Sequence, residues 1–182
     1  MPNHIDSRLV IVGPKADVAQ FQAFAEGVCR LWGDGPDVDT VLSEERFVPI
    51  PDDVYAAGFH PAGYDWCYRE WGTKWGFYDV ARHVVGGLLC YDFNTANSMA
   101  LRLVTVMSRR FPDLSFVYGA NDEGGNFVKV VVLRRGILVY SEAHLGIHEE
   151  TRQIARFAAL RRNGRLNTHR VMQIAKWCEW PN

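Results

Sequence analysis

Residues 88–118 read LLCYDFNTANSMALRLVTVMSRRFPDLSFVY, and the expected architecture follows from this stretch. Its first six residues predict a strand. Ser98 can then cap a helix that ends before Pro112, because apolar residues recur on one side of it at helical spacing. Alternating apolar residues over 114–118 predict a second strand. The apolar side of the helix consists of Ala100, Leu103, Val104, Met107 and Phe111.

The residues before this stretch predict two more strands. Residues 75–83 form one candidate, and Gly86-Gly87 joins it to 88–93 as a hairpin turn would. Residues 5–12 form the other candidate, since their apolar residues alternate. The hairpin and the early strand extend the predicted sheet on the N-terminal side of the helix.

A first helix is predicted after Gly13-Pro14, where proline suits the first turn, and it ends at Gly33. Its apolar side consists of Val18, Phe21, Ala25, Val28 and Trp32. When residues 33–74 are left out, the predicted order is β-α-β-β-α-β. This order is the ferredoxin-like split βαβ arrangement of an α+β protein.

Two segments enlarge this arrangement. Residues 33–74 are predicted to be an insertion, irregular and acidic at first and then helical over 64–71, with Gly72 as the C-terminal cap. Residues 122–182 are predicted to be a hairpin through Arg134-Arg135-Gly136, followed by a helix pair at 149–162 and 168–178. Strand 126–133 is apolar on both faces, and the helix pair is the available cover. We predict a single domain over residues 1–182.

Composition limits the class of protein. Of the 182 residues, 48% are hydrophobic and 23% are charged, which is typical of a chain that buries a core and excludes disorder. No apolar run is long enough to span a membrane, and no signal peptide is visible. Widely spaced cysteines indicate reduced thiols in a cytoplasmic protein without a cofactor. They are Cys29, Cys67, Cys90 and Cys178.

Charge is distributed unevenly along the chain. Residues 1–75 hold 12 acids and 6 bases, whereas residues 76–182 hold 9 acids and 14 bases. Residues 152–176 contain no acid, which predicts nucleic-acid binding through a basic helix pair. A solvated face that pairs with the acidic N-terminal half, or with a host protein, explains the same charges. The candidate nucleic-acid-binding residues are Arg152, Arg156, Arg161, Arg162, Arg165 and Arg170.

Residues 64–78 are rich in aromatic side chains, most of which we expect in the core. Trp66 is the exception, because helical spacing directs it with Arg69 away from the buried side. With Lys74, these two are the candidate ligand-binding residues. The seven aromatics are Tyr64, Trp66, Tyr68, Trp71, Trp75, Phe77 and Tyr78.

Catalytic and metal signals are weak. His144 and His148 are four residues apart, as zinc ligands on one helix face would be, but Gly146 between them weakens the helical premise. No catalytic residue is predicted, since nucleophile elbows, paired catalytic carboxylates and dinucleotide fingerprints are absent.

Three short motifs resemble the YubB-type ferredoxin-like proteins of plasmids and phages. They are M-P-N at 1–3, W-G-T-K-W at 71–75 and F-x-T-A at 93–96. The likeness covers roughly residues 1–120 and departs at Asn97, where the family pattern has an aromatic. It implies the fold and a mobile-element origin, and no activity. We therefore predict a non-enzymatic binding or interaction protein, with a small metal-dependent hydrolase or a structural homo-oligomer as the alternatives.

Overall fold

A computed structural model describes residues 3–30, 32, 36–85 and 88–145 of the chain. Its strands are β1 (His4–Val12), β2 (Gly27–Cys29), β3 (Val38–Thr40), β4 (Tyr78–Val85), β5 (Leu88–Ala96), β6 (Ser115–Asp122), β7 (Phe127–Arg134) and β8 (Ile137–Leu145). Its helices are α1 (Lys15–Ala25), α2 (Asp52–Ala56), α3 (Tyr64–Glu70) and α4 (Leu101–Arg110), with a 3₁₀ turn at Glu44–Arg46 and a π turn at Phe59–Gly63.

Six of the strands form one sheet in the order β4-β5-β1-β6-β7-β8. Every neighbouring pair in this sheet is antiparallel. The two short strands β2 and β3 pair separately as a small antiparallel hairpin. The molecule is therefore an α+β protein built on a six-stranded antiparallel sheet.

The main core lies between one face of the sheet and the helices α1 and α4. Phe21 of α1 is fully buried and contacts the rings of Tyr91, Phe111 and Phe116. Residues of the predicted insertion belong to the same apolar cluster, including Leu42, Phe47, Ile50, Trp66, Cys67 and Trp71. The insertion thus contributes to the core that stabilises the sheet.

The opposite face of the sheet carries a second, smaller apolar cluster. It consists of Val10, Cys90, Val117, Val130 and Val132, all buried. The prediction that the strand over 126–133 is buried on both faces is confirmed, because Val131 and Leu133 belong to the main core. The predicted helix pair at 149–162 and 168–178 lies outside the described residues.

Helix α1 is shorter than the sequence predicts. It ends at Ala25, and Glu26 already has an extended backbone. Residues 27–29 pair with 38–40 instead of continuing the helix, since glycine has a poor helix propensity and the hairpin satisfies their backbone groups. Val28 is consequently an exposed strand residue, and Trp32 lies beyond the hairpin strand.

Two further boundaries differ from their predictions. Strand β4 begins at Tyr78, three residues later than expected, because the amide of Phe77 donates to a side-chain carboxyl rather than to a strand partner. Ser98 does not cap α4, which begins at Leu101. The Ser98 hydroxyl donates instead to the carbonyl oxygen of Gly72 at 2.7 Å.

Within the described residues, no helix has both the length and the apolar character that crossing a bilayer requires. Cys29, Cys67 and Cys90 are free, buried thiols, as their spacing predicted. Cys178 lies outside the described residues.

Candidate functional site

A cleft opens where the insertion meets the edge strand β4 of the sheet. Its main cavity has a volume of about 440 Å³ and is lined by Cys29, Arg30, Trp32, Glu44, Phe59, Trp75, Gly76, Phe77 and Tyr78. A second cavity of about 360 Å³ continues toward β3 and shares Cys29, Glu44, Phe77 and Tyr78 with the first. The shared residues form the floor of one continuous cleft.

Glu44 is the central residue of this floor. Its side chain is 1% exposed. Oε1 accepts a hydrogen bond from the Phe77 amide at 3.2 Å and another from the Cys29 thiol at 3.1 Å. Oε2 is buried and has no hydrogen-bond partner. A carboxyl group is therefore held by one oxygen while its other oxygen remains available.

Burial raises the pKa of Glu44 to about 7, because the surrounding protein disfavours the charged form. The hydrogen bonds to Oε1 oppose this shift, and the neighbouring Glu45 adds to it. Near neutral pH the Glu44 carboxyl is consequently divided between its protonated and its charged forms. Carboxyl groups with pKa values shifted this far are concentrated at functional sites.

Two glycines create the space for this arrangement. A Cβ atom on Gly76 would lie 1.6 Å from Glu44 Oε1, so only glycine lets the carboxyl approach this backbone. A Cβ atom on Gly63 would lie 2.4 Å from the ring of Trp32. Because both positions lack a side chain, Glu44 forms the floor of the cleft and Trp32 forms part of its wall.

Aromatic rings form the walls. The Phe59 ring lies 5.4 Å from Trp32 and 6.4 Å from Trp75, measured between ring centroids. Trp75 in turn lies 6.5 Å from Tyr78. These separations are those of tilted aromatic contacts, and the rings present their faces and edges to a partly exposed cavity. The cleft suits a ligand with an apolar or planar part.

Acidic groups dominate the charge of the cleft. Glu44, Asp39 and Asp79 line it, against one lining base, Arg30. The guanidinium of Arg30 is engaged by Asp52, with Nη1 2.9 Å from Oδ1. Asp37 and Asp52 both raise the pKa of Glu45, although burial is the larger cause. The electrostatic field in the cleft favours a cation over an anion.

The Cys29 thiol does not fit the role of a nucleophile. Burial raises its pKa well above the usual range, and Glu44 and Glu45 raise it further. Since the thiolate is the reactive form of cysteine, this thiol stays protonated and inert. The phenol of Tyr78 also stays neutral, because burial raises its pKa to about 12.

Of the predicted ligand-binding residues, Trp66 is placed differently from the expectation. It is 5% exposed and packs edge to face on Trp71, with 5.1 Å between ring centroids. The prediction that it projects from the protein was wrong, because the main core extends under both sides of α3 and not under one stripe of it. Arg69 is exposed and pairs with Glu70. Lys74 lies next to the cleft, with its ammonium 4.9 Å from the Trp75 ring centroid.

The other predicted residues lie away from the cleft or beyond the described residues. His144 belongs to strand β8, where it pairs with Val128, so it is not on a helix. His148 and the arginines at 152–170 lie outside the described residues. In the part of the chain that the structure describes, no group of three or more His, Cys, Asp or Glu side chains is arranged to hold a metal ion.

Sequence reasoning missed the central residues of the cleft. Glu44 was part of an acidic stretch that looked irregular and exposed. One signal could have identified it, since Val41, Leu42, Phe47 and Val48 flank the acidic pair on both sides. Such apolar flanks indicate that the acids between them are drawn toward a core.

The fold and the cleft define an α+β protein with a six-stranded antiparallel sheet and an aromatic, acidic cleft beside its edge strand. No family model matches the chain, and no curated protein matches it. A solved structure, that of the protein api92 from Yersinia pseudotuberculosis, described under the family model DUF1281, has a similar fold. The TM-score is 0.61 at 9% identity, over 79% of this chain and 98% of that one. At this identity the likeness shows the fold alone.

Proposed function

We propose that this chain is a non-enzymatic binding protein that holds its ligand in the aromatic cleft. The cavity carries the proposal. Its volume of about 440 Å³ lies in the range of small-molecule sites, and rings from separate segments of the chain converge on it. A convergent apolar cavity with one buried polar group at its floor is the usual form of a binding site.

Binding fits the cleft better than catalysis does. Covalent catalysis needs a nucleophile that is ionised or activated by a base. Cys29 is held as a neutral thiol by its buried, acidic surroundings. Tyr78 is held as a neutral phenol. Both groups therefore shape the cavity without supplying reactive charge.

The proposal includes a ferredoxin-like sheet and an origin in a plasmid or phage. The strand order β4-β5-β1-β6, with α1 after β1 and α4 after β5, supports a split βαβ arrangement. The W-G-T-K-W motif at 71–75 supports a relation to the YubB-type proteins. Free, buried thiols support a cytoplasmic location.

A ligand screen tests the proposed function. Water-soluble ring compounds that are cationic, neutral and anionic would be titrated against the protein while tryptophan fluorescence and melting temperature are recorded. We expect at least one charge class to bind, and Trp75→Leu to abolish that binding because its ring lines the cavity. Tyr68→Leu is the matched control, since this half-buried ring does not line the cavity. A screen without any binding would reject the cleft as a ligand site.

A second candidate function is nucleic-acid binding through the arginines at 152–170. The observation that favours it is the acid-free basic stretch at 152–176. Short DNA and RNA would be titrated at low and at physiological salt, because phosphate contacts weaken steeply with salt. We expect salt-sensitive binding that Arg161→Glu combined with Arg165→Glu abolishes without lowering the melting temperature. Absence of binding at low salt would leave an acidic partner protein as the explanation of the basic stretch.

A further inference from the structure

The floor and the walls of the cleft attract the same kind of ligand group. Glu44 Oε2 is buried without a hydrogen-bond partner, whereas Oε1 is occupied by the Phe77 amide and the Cys29 thiol. One oxygen can therefore accept one strong hydrogen bond from a ligand. The faces of the tryptophan and phenylalanine rings above it attract positive charge. Both features favour a group that is cationic and donates an N–H bond.

We propose that the cleft binds a primary ammonium group, which donates to Glu44 Oε2 while the attached carbon chain or ring packs against Trp32, Phe59 and Trp75. This inference rests on the proposed function and specifies its ligand. A free amine and the lysine side chain of another protein share this chemistry. A charge-assisted N–H···O bond is shorter and stronger than a neutral one, so the ammonium supplies much of the affinity.

The distribution of charge around the cleft supports a cation. Three acids line the two cavities, and the single lining base, Arg30, is already paired with Asp52. The ammonium of Lys74 lies over the outer rings, 4.9 Å from the centroid of Trp75 and 5.9 Å from that of Tyr64. A carboxylate or phosphate ligand would meet the acids at the floor of the cleft. An ammonium ligand would complete the unpaired oxygen.

Binding of a cation should release a proton. Burial keeps Glu44 largely protonated below pH 7, and an ammonium at Oε2 favours the charged carboxylate. The other titratable or charged groups near Glu44 are Cys29, Arg30, Asp37, Asp39, Glu45, Cys67, Tyr78 and Asp79. Burial raises the pKa of both thiols and of the phenol, that of Cys67 and that of Tyr78 to about 12, so none of these three ionises between pH 6 and pH 8.

The test compares three probes of nearly equal size by isothermal titration calorimetry at pH 8. Benzylammonium carries the proposed cation, benzyl alcohol is its neutral counterpart, and benzoate is the anion. We expect benzylammonium to bind at least about tenfold more tightly than benzyl alcohol, and benzoate to bind more weakly than either. Lysine blocked at its α-amino and carboxyl groups forms a fourth arm, since binding of it would identify a protein side chain as the source of the ammonium.

The variant Glu44→Gln separates charge from shape. It keeps an acceptor at the position of Oε1 and replaces Oε2 by an amide that repels an ammonium. We expect this variant to lose the preference for benzylammonium and to bind benzyl alcohol as the unaltered protein does. Equal binding of benzylammonium and benzyl alcohol by the unaltered protein would overturn the inference and leave the proposed function intact. Absence of binding by all three ring probes would reject both.

A second measurement does not depend on the folding of a variant. The affinity of the unaltered protein for benzylammonium should rise about tenfold between pH 6 and pH 8, because Glu44 loses its proton in this range while an alkylammonium keeps its charge. Titrations at pH 6 in two buffers of different ionisation enthalpy should reveal the release of nearly one proton. A constant affinity without proton release would contradict the role of Glu44.

Discussion

Glu44 and Gly76 occupy space that two ordinary residues could not share. The Glu44 carboxyl is almost fully buried, and its Oε1 lies where a Cβ atom of residue 76 would be. The amide of Phe77, next in the chain, donates to the same oxygen. The irregular backbone before β4 thus exists to accommodate a carboxyl group and not to extend the sheet.

The variant Gly76→Ala tests this close approach. We expect it to lower the free energy of unfolding by about 1–3 kcal/mol, because the added methyl group overlaps Glu44 Oε1. Gly119→Ala is the matched control, since its nearest non-neighbouring atoms are 4.0 Å from the added Cβ. Urea denaturation measures both. Equal losses in the two variants would mean that the cost comes from removing glycine and not from the contact with Glu44.

The raised pKa of Glu44 predicts a pH dependence of stability. The folded protein holds this proton up to about pH 7, whereas the unfolded chain releases it near 4.5. The stabilisation is therefore complete below pH 4.5 and is lost as the pH rises through 7, with a total on the order of 3 kcal/mol.

Glu44→Gln should remove most of this dependence and raise the stability at pH 8. Urea midpoints at half-unit intervals from pH 5 to pH 8 measure the effect. Glu70→Gln, at a side chain that is 41% exposed and paired with Arg69, is the control that should keep the dependence. Parallel curves for the unaltered protein and Glu44→Gln would contradict the assignment of the titration to Glu44.

Residue-scale reasoning from the sequence succeeded where the backbone dictates one residue type. Gly72 has a φ of 82°, as its predicted capping role requires. Asn97, where the YubB-type pattern has an aromatic, has a φ of 67°, a conformation that asparagine tolerates better than a bulky side chain. Glu44 could not be identified in this way, because its burial results from contacts with residues 29 and 77, which are distant in the sequence.

At the scale of elements, α4 and the β7–β8 hairpin are joined by a hydroxyl group. Ser108 is fully buried in α4, and its Oγ accepts a hydrogen bond from the Gly136 amide in the hairpin turn at 2.9 Å. The same hydroxyl donates to the carbonyl oxygen of Thr105 at 3.0 Å. One side chain therefore ties the turn that links β7 and β8 to the helix on the main core.

The variant Ser108→Ala should loosen this connection. We expect the free energy of unfolding to fall by about 1 kcal/mol, because the Gly136 amide loses its acceptor. Hydrogen exchange at this amide should become faster. Thr105→Ala is the control, since the Thr105 hydroxyl donates only within the helix, to Leu101. Unchanged exchange at Gly136 in Ser108→Ala would show that the bond contributes little in solution.

Elements were predictable where local chemistry determines them. The turn at Arg134-Arg135-Gly136 is confirmed, with positive φ at Arg135 and Gly136, because this chemistry acts within a few residues. The end of α1 was not predictable in the same way. Val28 and Trp32 continue a helical apolar pattern, but residues 27–29 pair with 38–40 instead, and this partner is visible only after folding.

At the scale of the whole molecule, the insertion and the sheet share one core. Leu42, Phe47 and Trp71 belong to the same cluster as Phe21 of α1 and Tyr118 of β6. Trp71 also donates its indole N–H to the carbonyl oxygen of Val48 at 2.9 Å, which fixes α3 to the acidic segment. The insertion is thus coupled to the sheet by packing and does not behave as a separate lid.

Unfolding should therefore be a single transition. Four of the six tryptophans, at positions 32, 66, 71 and 75, lie in or next to the insertion, so fluorescence reports mainly on it. Far-UV circular dichroism reports on the sheet and the helices. We expect the two urea curves to coincide, as cooperative unfolding requires. An earlier fluorescence transition would mean that the insertion unfolds before the sheet.

The close approach of Glu44 to Gly76 also limits how this chain can vary. A relative that acquires any side chain at position 76 has to shorten the residue at position 44 in the same step or lose the floor of the cleft. The two positions are therefore expected to covary across relatives. A library that randomises both positions together should recover compensated pairs that scanning one position at a time would discard.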